Sequence, residues 1–329
     1  MNSTLGFSNQ LREVLNRLIV LNASQYELDG KLYDIADGTS GKSKVSLETK
    51  AVKDVQHNAL VDHLAKTLFH HFFSRRTSFK EQPLPPRHEH EVFVHQLSKA
   101  NLSTTSPDSN WRIIEINEKG ITYAEKEGVR RPLLAGTYEM PFPGQLPVVG
   151  QKVNFYRIRE HLNLASSEYQ AFSNVYMQQH ESFRQYYFHI SAEGAPLLLG
   201  YVTSRFNDFN VPFRFQCFNH PSLYPRANAA VLHVMQRYTE VASQLIRNFI
   251  DALRPFLIDE IPLLTHRLEK GVGFLEVPQF NPNIGQELMQ ELAATLIDPD
   301  VLGCHDSEDR LKLLCQKMDG FEGLNRFNS

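Results

Sequence analysis

The stretch VPFRFQCFN, residues 211–219, constrains the chain more than any other. Phe213, Phe215 and Cys217 alternate with Arg214 and Gln216. Successive side chains of a strand point to opposite faces, so this strand has an apolar face and a polar one. Such a strand needs neighbours to complete its hydrogen bonds and a layer to cover its apolar face. Candidate neighbours lie on both sides: SFRQYYFHI before it, ANAAVLHVMQ after a loop containing two prolines. GVGFLEVP reads as a further short strand or loop. Candidate covering layers are EGAPLLLGYVTSRFNDF, with Leu197, Leu198, Tyr201, Val202 and Phe206 facing inward, and TEVASQLIRNFIDALRPFL. Helices near 284–297 and 307–318 close the chain.

The first hundred residues read differently. Leu11, Val14, Leu15, Leu18 and Ile19 place a helix over 8–23. Residues 28–50 are polar with Gly and Ser and read as a loop. Leu60, Leu64, Leu68, Phe69, Phe72 and Phe73 mark a helix over 52–76, ended by the prolines of EQPLPPR. A third helix is expected from His88 to about Asn101. Strands then resume in WRIIEINEKGITYAEKEGVRRPLLAG, with a hairpin turn at Lys119-Gly120, and in VNFYRIRE after a Pro/Gly stretch. The expected fold class is α+β: a helical N-terminal region, 1–104, packed on a mixed, mainly antiparallel sheet domain, 105–329, the two possibly continuous. No internal repeat is visible.

Composition narrows the function. A net charge of -3 gives no global attraction to nucleic acid or an anionic membrane. No stretch reaches the ~18 apolar residues of a membrane span, and the N-terminus lacks a Sec signal pattern. Three cysteines without a CxxC pair fit a reducing compartment, so a cytoplasmic location is expected. Phosphate-loop, zincin, nucleophile-elbow and dinucleotide motifs are absent. His88-Glu89-His90-Glu91 is the densest histidine group. Its place at a helix start suits acidic residues without a metal, and no metal is expected there. His63, His70 and His71 read as partly exposed polar-face or helix-packing residues.

The informative cluster is PFRFQCFNHPSLYPRANAAVLHV. It gathers Arg214, Gln216, His220, Arg226, Asn228 and His233 on two strands and their loop. If the polar face is concave, Arg214, Arg226 and Lys270 would form an anion pocket, because a guanidinium fork binds two oxygens of a phosphate. Solvated surface charge is the plainer reading of the same residues and is favoured on composition alone.

The same string, with YYFHISAEGAPLLLGYVTSRFN before it and PLLTHRLEKGVGFLEVPQFNPNIGQ after it, resembles the HopA-type effector family. The order of the motifs carries the resemblance, from about Phe183 to Gln290. Relatives in lanthipeptide and thioamitide pathways look like lyases that eliminate phosphate from phosphoserine or phosphothreonine after a kinase-like partner has acted. The resemblance therefore implies a phosphorylated precursor peptide as substrate, a kinase-like partner and no cofactor. The chain departs from the family pattern at useful positions. A family lysine falls on Gln216, an aspartate on Asn228, a tyrosine on His233 and a second lysine on His266. Glutamine cannot serve as a base. His189, His220, His233 and His266 are the candidate substitutes, since imidazole titrates near neutrality. Arg214, Gln216, Arg226, Asn228 and Lys270 are the candidate phosphate- and substrate-binding residues. The leading expectation is a lyase in ribosomal-peptide biosynthesis. The alternatives are a non-catalytic peptide- or kinase-binding relative and a type III secreted effector.

Overall fold

A computed structural model describes residues 3–22, 24–35, 50–76, 87–118, 121–133, 137–142, 144–162, 167–177, 181–304 and 306–319. The protein is an α+β structure. Its first part runs α1 (Ser3–Arg17), β1 (Leu18–Val20), β2 (Gln25–Leu28), β3 (Lys31–Asp34), α2 (Lys50–Leu68) and α3 (Arg87–Ala100). The helix expected over 8–23 therefore begins earlier and gives way to a strand at Leu18. Part of the expected loop is strand as well, because β1, β2 and β3 form a small antiparallel sheet. A π-helical turn, Phe69–Phe73, continues α2. Most of the proline run that was expected to end this helix lies outside the described residues, as does the turn pair Lys119-Gly120.

The middle of the chain is a five-stranded antiparallel sheet. Its strands are β4 (Ser106–Ile116), β5 (Thr122–Lys126), β6 (Val129–Leu133), β7 (Tyr138–Glu139) and β8 (Lys152–Arg157), in the order β6-β5-β4-β8-β7. It has its own small core around Trp111, Ile113, Ala124, Leu133 and Val153.

The remaining elements build the main sheet and its cover. They are β9 (Glu160–Leu162), β10 (Glu168–Phe172), β11 (Phe183–Ile190), α4 (Gly194–Asp208), β12 (Phe213–Phe218), β13 (Arg226–Met235), α5 (Thr239–Leu253), β14 (His266–Glu269), β15 (Val272–Val277), α6 (Ile284–Leu296), α7 (Pro299–Leu302) and α8 (Ser307–Asp319). Seven strands pair in the order β14-β15-β11-β13-β12-β10-β9. Every pairing among the described strands is antiparallel, so the sheet is not mixed.

Both faces of this sheet are covered. Tyr186, Phe188 and Ile190 of β11 join a core with α3, α4 and α5. Phe183 and Tyr187, from the alternate positions, join a second core with α1, α2, α6 and α8. That is why β11 is buried along almost its whole length: a strand covered on both faces has no solvent side. The covering helices have the spacing this demands. In α5, Ala242, Leu245, Ile246, Phe249, Ile250 and Leu253 recur at three- and four-residue intervals and are all buried. Burying each large aliphatic or aromatic side chain contributes about 1.5–3 kcal/mol. Pro255, in the 3-10 turn after α5, has no N–H to continue the ladder. In α4, Leu198, Val202 and Phe206 are buried as expected, but Leu197 is exposed and Leu199 takes the inward place.

Close packing fixes the start of α6. A Cβ on Gly285 would overlap Cε1 and Cζ of Phe73, a ring buried from solvent. Gly285→Ala sets two effects against each other. Alanine gains about 1 kcal/mol of helix propensity, whereas overpacking a rigid core costs about 1–3 kcal/mol. The clash should win, because the neighbour is an aromatic ring held in a core. Urea denaturation of Gly285→Ala is expected to give a lower midpoint than the natural chain. An equal or higher midpoint would mean that Phe73 moves aside freely.

Candidate functional site

The site follows from strand register. Phe172 of β10 lies opposite Arg214, Arg214 opposite His233, and His233 opposite Gln185. One row further along, Gln170 lies opposite Gln216, Gln216 opposite Val231, and Val231 opposite Tyr187. Paired residues share a face. Four adjacent strands thus put Arg214, Gln216, His233, Gln170, Gln185 and Tyr187 on one side of the sheet. The other side of β12 carries Phe213, Phe215 and Cys217 into the core under α4.

These side chains floor a cleft of ≈ 370 Å³. Phe69 and Phe73 of the π-helical turn form one wall, and Pro282, Asn283, Gly285 and Gln286 at the N-terminus of α6 form another. Positive potential from the α6 dipole adds to that of Arg214. Phe280, from the β15–α6 loop, lies 4.7 Å from the Arg214 guanidinium and 5.0 Å from the His233 ring centre.

The row is bonded to itself. Gln216 Nε2 donates to Glu168 Oε2 at 3.4 Å, which leaves its Oε1 to accept from His233 Nε2 at 2.7 Å. The proton of the neutral imidazole is thereby placed on Nε2. His233 Nδ1 is then a buried acceptor with no partner among the described residues. Tyr187 donates its hydroxyl to Gln185 Oε1 at 2.7 Å, and Gln185 Nε2 donates to the Asn281 carbonyl at 2.7 Å. Arg214 Nη2 donates to Gln170 Oε1 at 2.9 Å, while its Nε is buried and unpartnered. No carboxylate comes within 4.0 Å of Arg214 among the described residues. Burial lowers its pKa from the usual arginine value, against a smaller pull from Glu168, but a guanidinium stays charged at neutral pH.

Burial acts more strongly on His233. Desolvation, and then the Arg214 charge, bring its pKa down to about 3. It is a neutral hydrogen-bonding group, and so weak a base has little driving force to take a proton from carbon.

The other expected residues are dispersed. Asn228 lines the cleft and accepts from Ser74 Oγ at 2.8 Å. Arg226 does not line it; its guanidinium lies over the Phe218 ring at 4.6 Å, and its pKa is lowered to about 10 by burial and by the charge of Arg76. Lys270 is an exposed turn residue between β14 and β15, away from the cleft, so Arg214, Arg226 and Lys270 do not share one pocket. His189 is buried on β11 and its Nδ1 faces the Glu260 carbonyl at 3.0 Å. His220 caps the short turn Pro221–Leu223, its Nδ1 accepting from Ser222 N at 3.1 Å. His266 packs between the Phe7 and Phe274 rings. Of the four histidines only His233 belongs to the cleft. The residues that the sequence reading missed are Gln170, Gln185, Tyr187 and Phe280. A glutamine at an alternate position in the aromatic strand FRQYYFHI was the available signal for Gln185.

Residues 160–321 match the model of the HopA1 effector protein family. That segment carries the whole main sheet and all but the Phe69–Phe73 wall of the cleft. Among the solved structures similar to the chain are two effector proteins from Pseudomonas syringae. The one from pv. tomato strain DC3000 is 11% identical, covers 97% of this chain and 95% of that one, and has a TM-score of 0.42. The one from pv. syringae strain 61 is also 11% identical, covers 78% and 91%, and has a TM-score of 0.38. At those scores neither likeness bears on the site. No curated protein matches the chain. No helix among the described residues is long and apolar enough to cross a membrane.

The state of His233 has a measurable consequence. Unfolded, it binds a proton near pH 6.5; folded, only near pH 3. Between these values the unfolded chain holds the extra proton, so this contribution to stability is complete above about pH 6.5 and is lost as pH falls toward about 3. From about pH 7 to about pH 4.5, the urea midpoint of the natural chain should fall further than that of His233→Gln. Parallel falls would mean that His233 is not a buried neutral group.

Proposed function

We propose that the HopA1-type cleft binds a phosphorylated side chain of a peptide and holds it without turning it over. Arg214 carries this reading: it is a half-buried guanidinium with no carboxylate partner among the described residues, stacked on Phe280 and lining the cleft. A phosphate would take its free donors and the potential at the α6 N-terminus together. Gln170, Gln216 and Asn228 offer amides to the backbone of the peptide. A kinase-like enzyme would supply the phosphorylated partner, and the three free cysteines suit a cytoplasmic setting.

Elimination asks for more. A base must take the α-proton, the Cα–H electron pair must form the Cα=Cβ bond, and the Cβ–O bond must break to release phosphate. Gln216 cannot accept that proton and His233 is too weak a base. One observation favours the lyase as a second reading: Glu168, an exposed carboxylate beside Gln216, lines the cleft. The effector reading that the family name suggests is compatible with the same cleft, since a captured phosphopeptide can belong to a host protein.

The deciding experiment incubates the chain with a phosphothreonine peptide and follows both binding and mass. Saturable binding with unchanged mass is expected, and Arg214→Gln should weaken it at least about tenfold, the worth of a charge-assisted phosphate contact. Loss of the elements of phosphoric acid, abolished by Glu168→Gln, would replace this reading with the lyase. Equal affinity for the unphosphorylated peptide would remove both.

A further inference from the structure

A second pocket, of ≈ 350 Å³, lies where the five-stranded sheet meets the main one. Its volume is within the range of small-molecule sites. Arg131 and Arg157 come to it from β6 and β8. Phe155, Phe172, Tyr176 and Met177 supply much of the remaining lining.

The two arginines are poorly compensated. Arg157 Nε and Nη1 are buried with no hydrogen-bond partner among the described residues. Its nearest carboxylate, Asp108, stands 3.9 Å away and is already engaged by Lys126 Nζ at 2.6 Å. Arg131 makes no ion pair among the described residues; its guanidinium lies over the Tyr176 ring at 4.7 Å and faces Trp111 and Phe155 at 5.9 and 6.0 Å. Burial, with Arg131 close by, lowers the Arg157 pKa despite the pull of Asp108. Unsatisfied buried donors cost about 1–3 kcal/mol each, so a fold that keeps two on one guanidinium is poised to take an acceptor. Aromatic walls beside that guanidinium call for a flat apolar body behind the acceptor. A carboxylate suits the site better than a phosphate dianion, because a single charge costs less to desolvate among apolar walls.

We infer that this inter-sheet pocket is a binding site for a small aromatic carboxylate, held by the free donors of Arg157 and the charge of Arg131, with the ring among Phe155, Phe172 and Tyr176. The pocket shares Arg214 with the peptide cleft but draws on Arg131 and Arg157, which do not line that cleft.

The test titrates 4-phenylbutyrate and its neutral analogue 4-phenylbutyramide into the full chain. Trp111 is the sole tryptophan and lies 5.9 Å from Phe155, so its emission reports on the pocket, with calorimetry as a second readout. The acid should bind at least about tenfold more tightly than the amide, as a charge-assisted contact implies. Arg157→Gln and Arg131→Gln should each reduce that preference and leave affinity for the amide unchanged. If Arg157→Gln does not fold, Arg131→Gln decides. The inference is overturned by no saturable binding of the acid, by equal binding of acid and amide, or by a preference that survives in every folded variant. Phosphothreonine-peptide binding that persists in Arg131→Gln while the acid is lost would separate this site from the cleft.

Discussion

A sheet covered on both faces gives a polar side chain nowhere to go but its neighbours. The central strands β11 and β13 are in that position, and leaving a buried donor or acceptor unpaired costs about as much as a stabilising hydrogen bond contributes, or more. His233 and Gln216 meet this constraint by bonding to each other, with Gln216 also reaching Glu168, and Gln185 meets it by bonding to Tyr187 and the Asn281 carbonyl. The network is complete except where it opens on the cleft. There, Arg214 Nε and His233 Nδ1 remain unpaired. The proposed anion-binding site is thus a break in the packing of two layers rather than a surface feature added to them.

The same logic explains which histidine matters. All four candidates titrate near neutrality as free side chains, but their surroundings differ. His189 and His220 are occupied by backbone groups, and His266 is wedged between two rings. His233 alone sits over the cleft, and the desolvation that places it there deprives it of basicity. On the proposed reading, Arg214 in this row supplies recognition, while Gln216 and a neutral His233 supply no proton acceptor.

Much of this was legible in the residues. Alternation in VPFRFQCFN fixed the shared face of Arg214 and Gln216, and the helical spacing in α5 fixed its buried stripe. Motif order identified the family over its second half. What was not legible required register. Nothing in the sequence says that His233 faces Arg214 while Arg226, on the same strand, points to Phe218 instead. Lys270 fails for a similar reason: it is near the glycine turn in sequence, but β14 and β15 carry that turn to the far edge of the sheet. The first hundred residues were read as helical because β1, β2 and β3 are only three or four residues long, too short for period-two alternation to show.

Arg214 is the one residue on which the account turns, since it lines both the cleft and the inter-sheet pocket. NMR of the arginine Nε–Hε groups tests its role most directly, in the full chain titrated with a phosphothreonine peptide and with the same peptide unphosphorylated. The account expects the Arg214 resonance to shift and its exchange with water to slow only with the phosphorylated peptide, while Lys270→Ala leaves the response unchanged. A bound phosphopeptide that leaves Arg214 unshifted would contradict it.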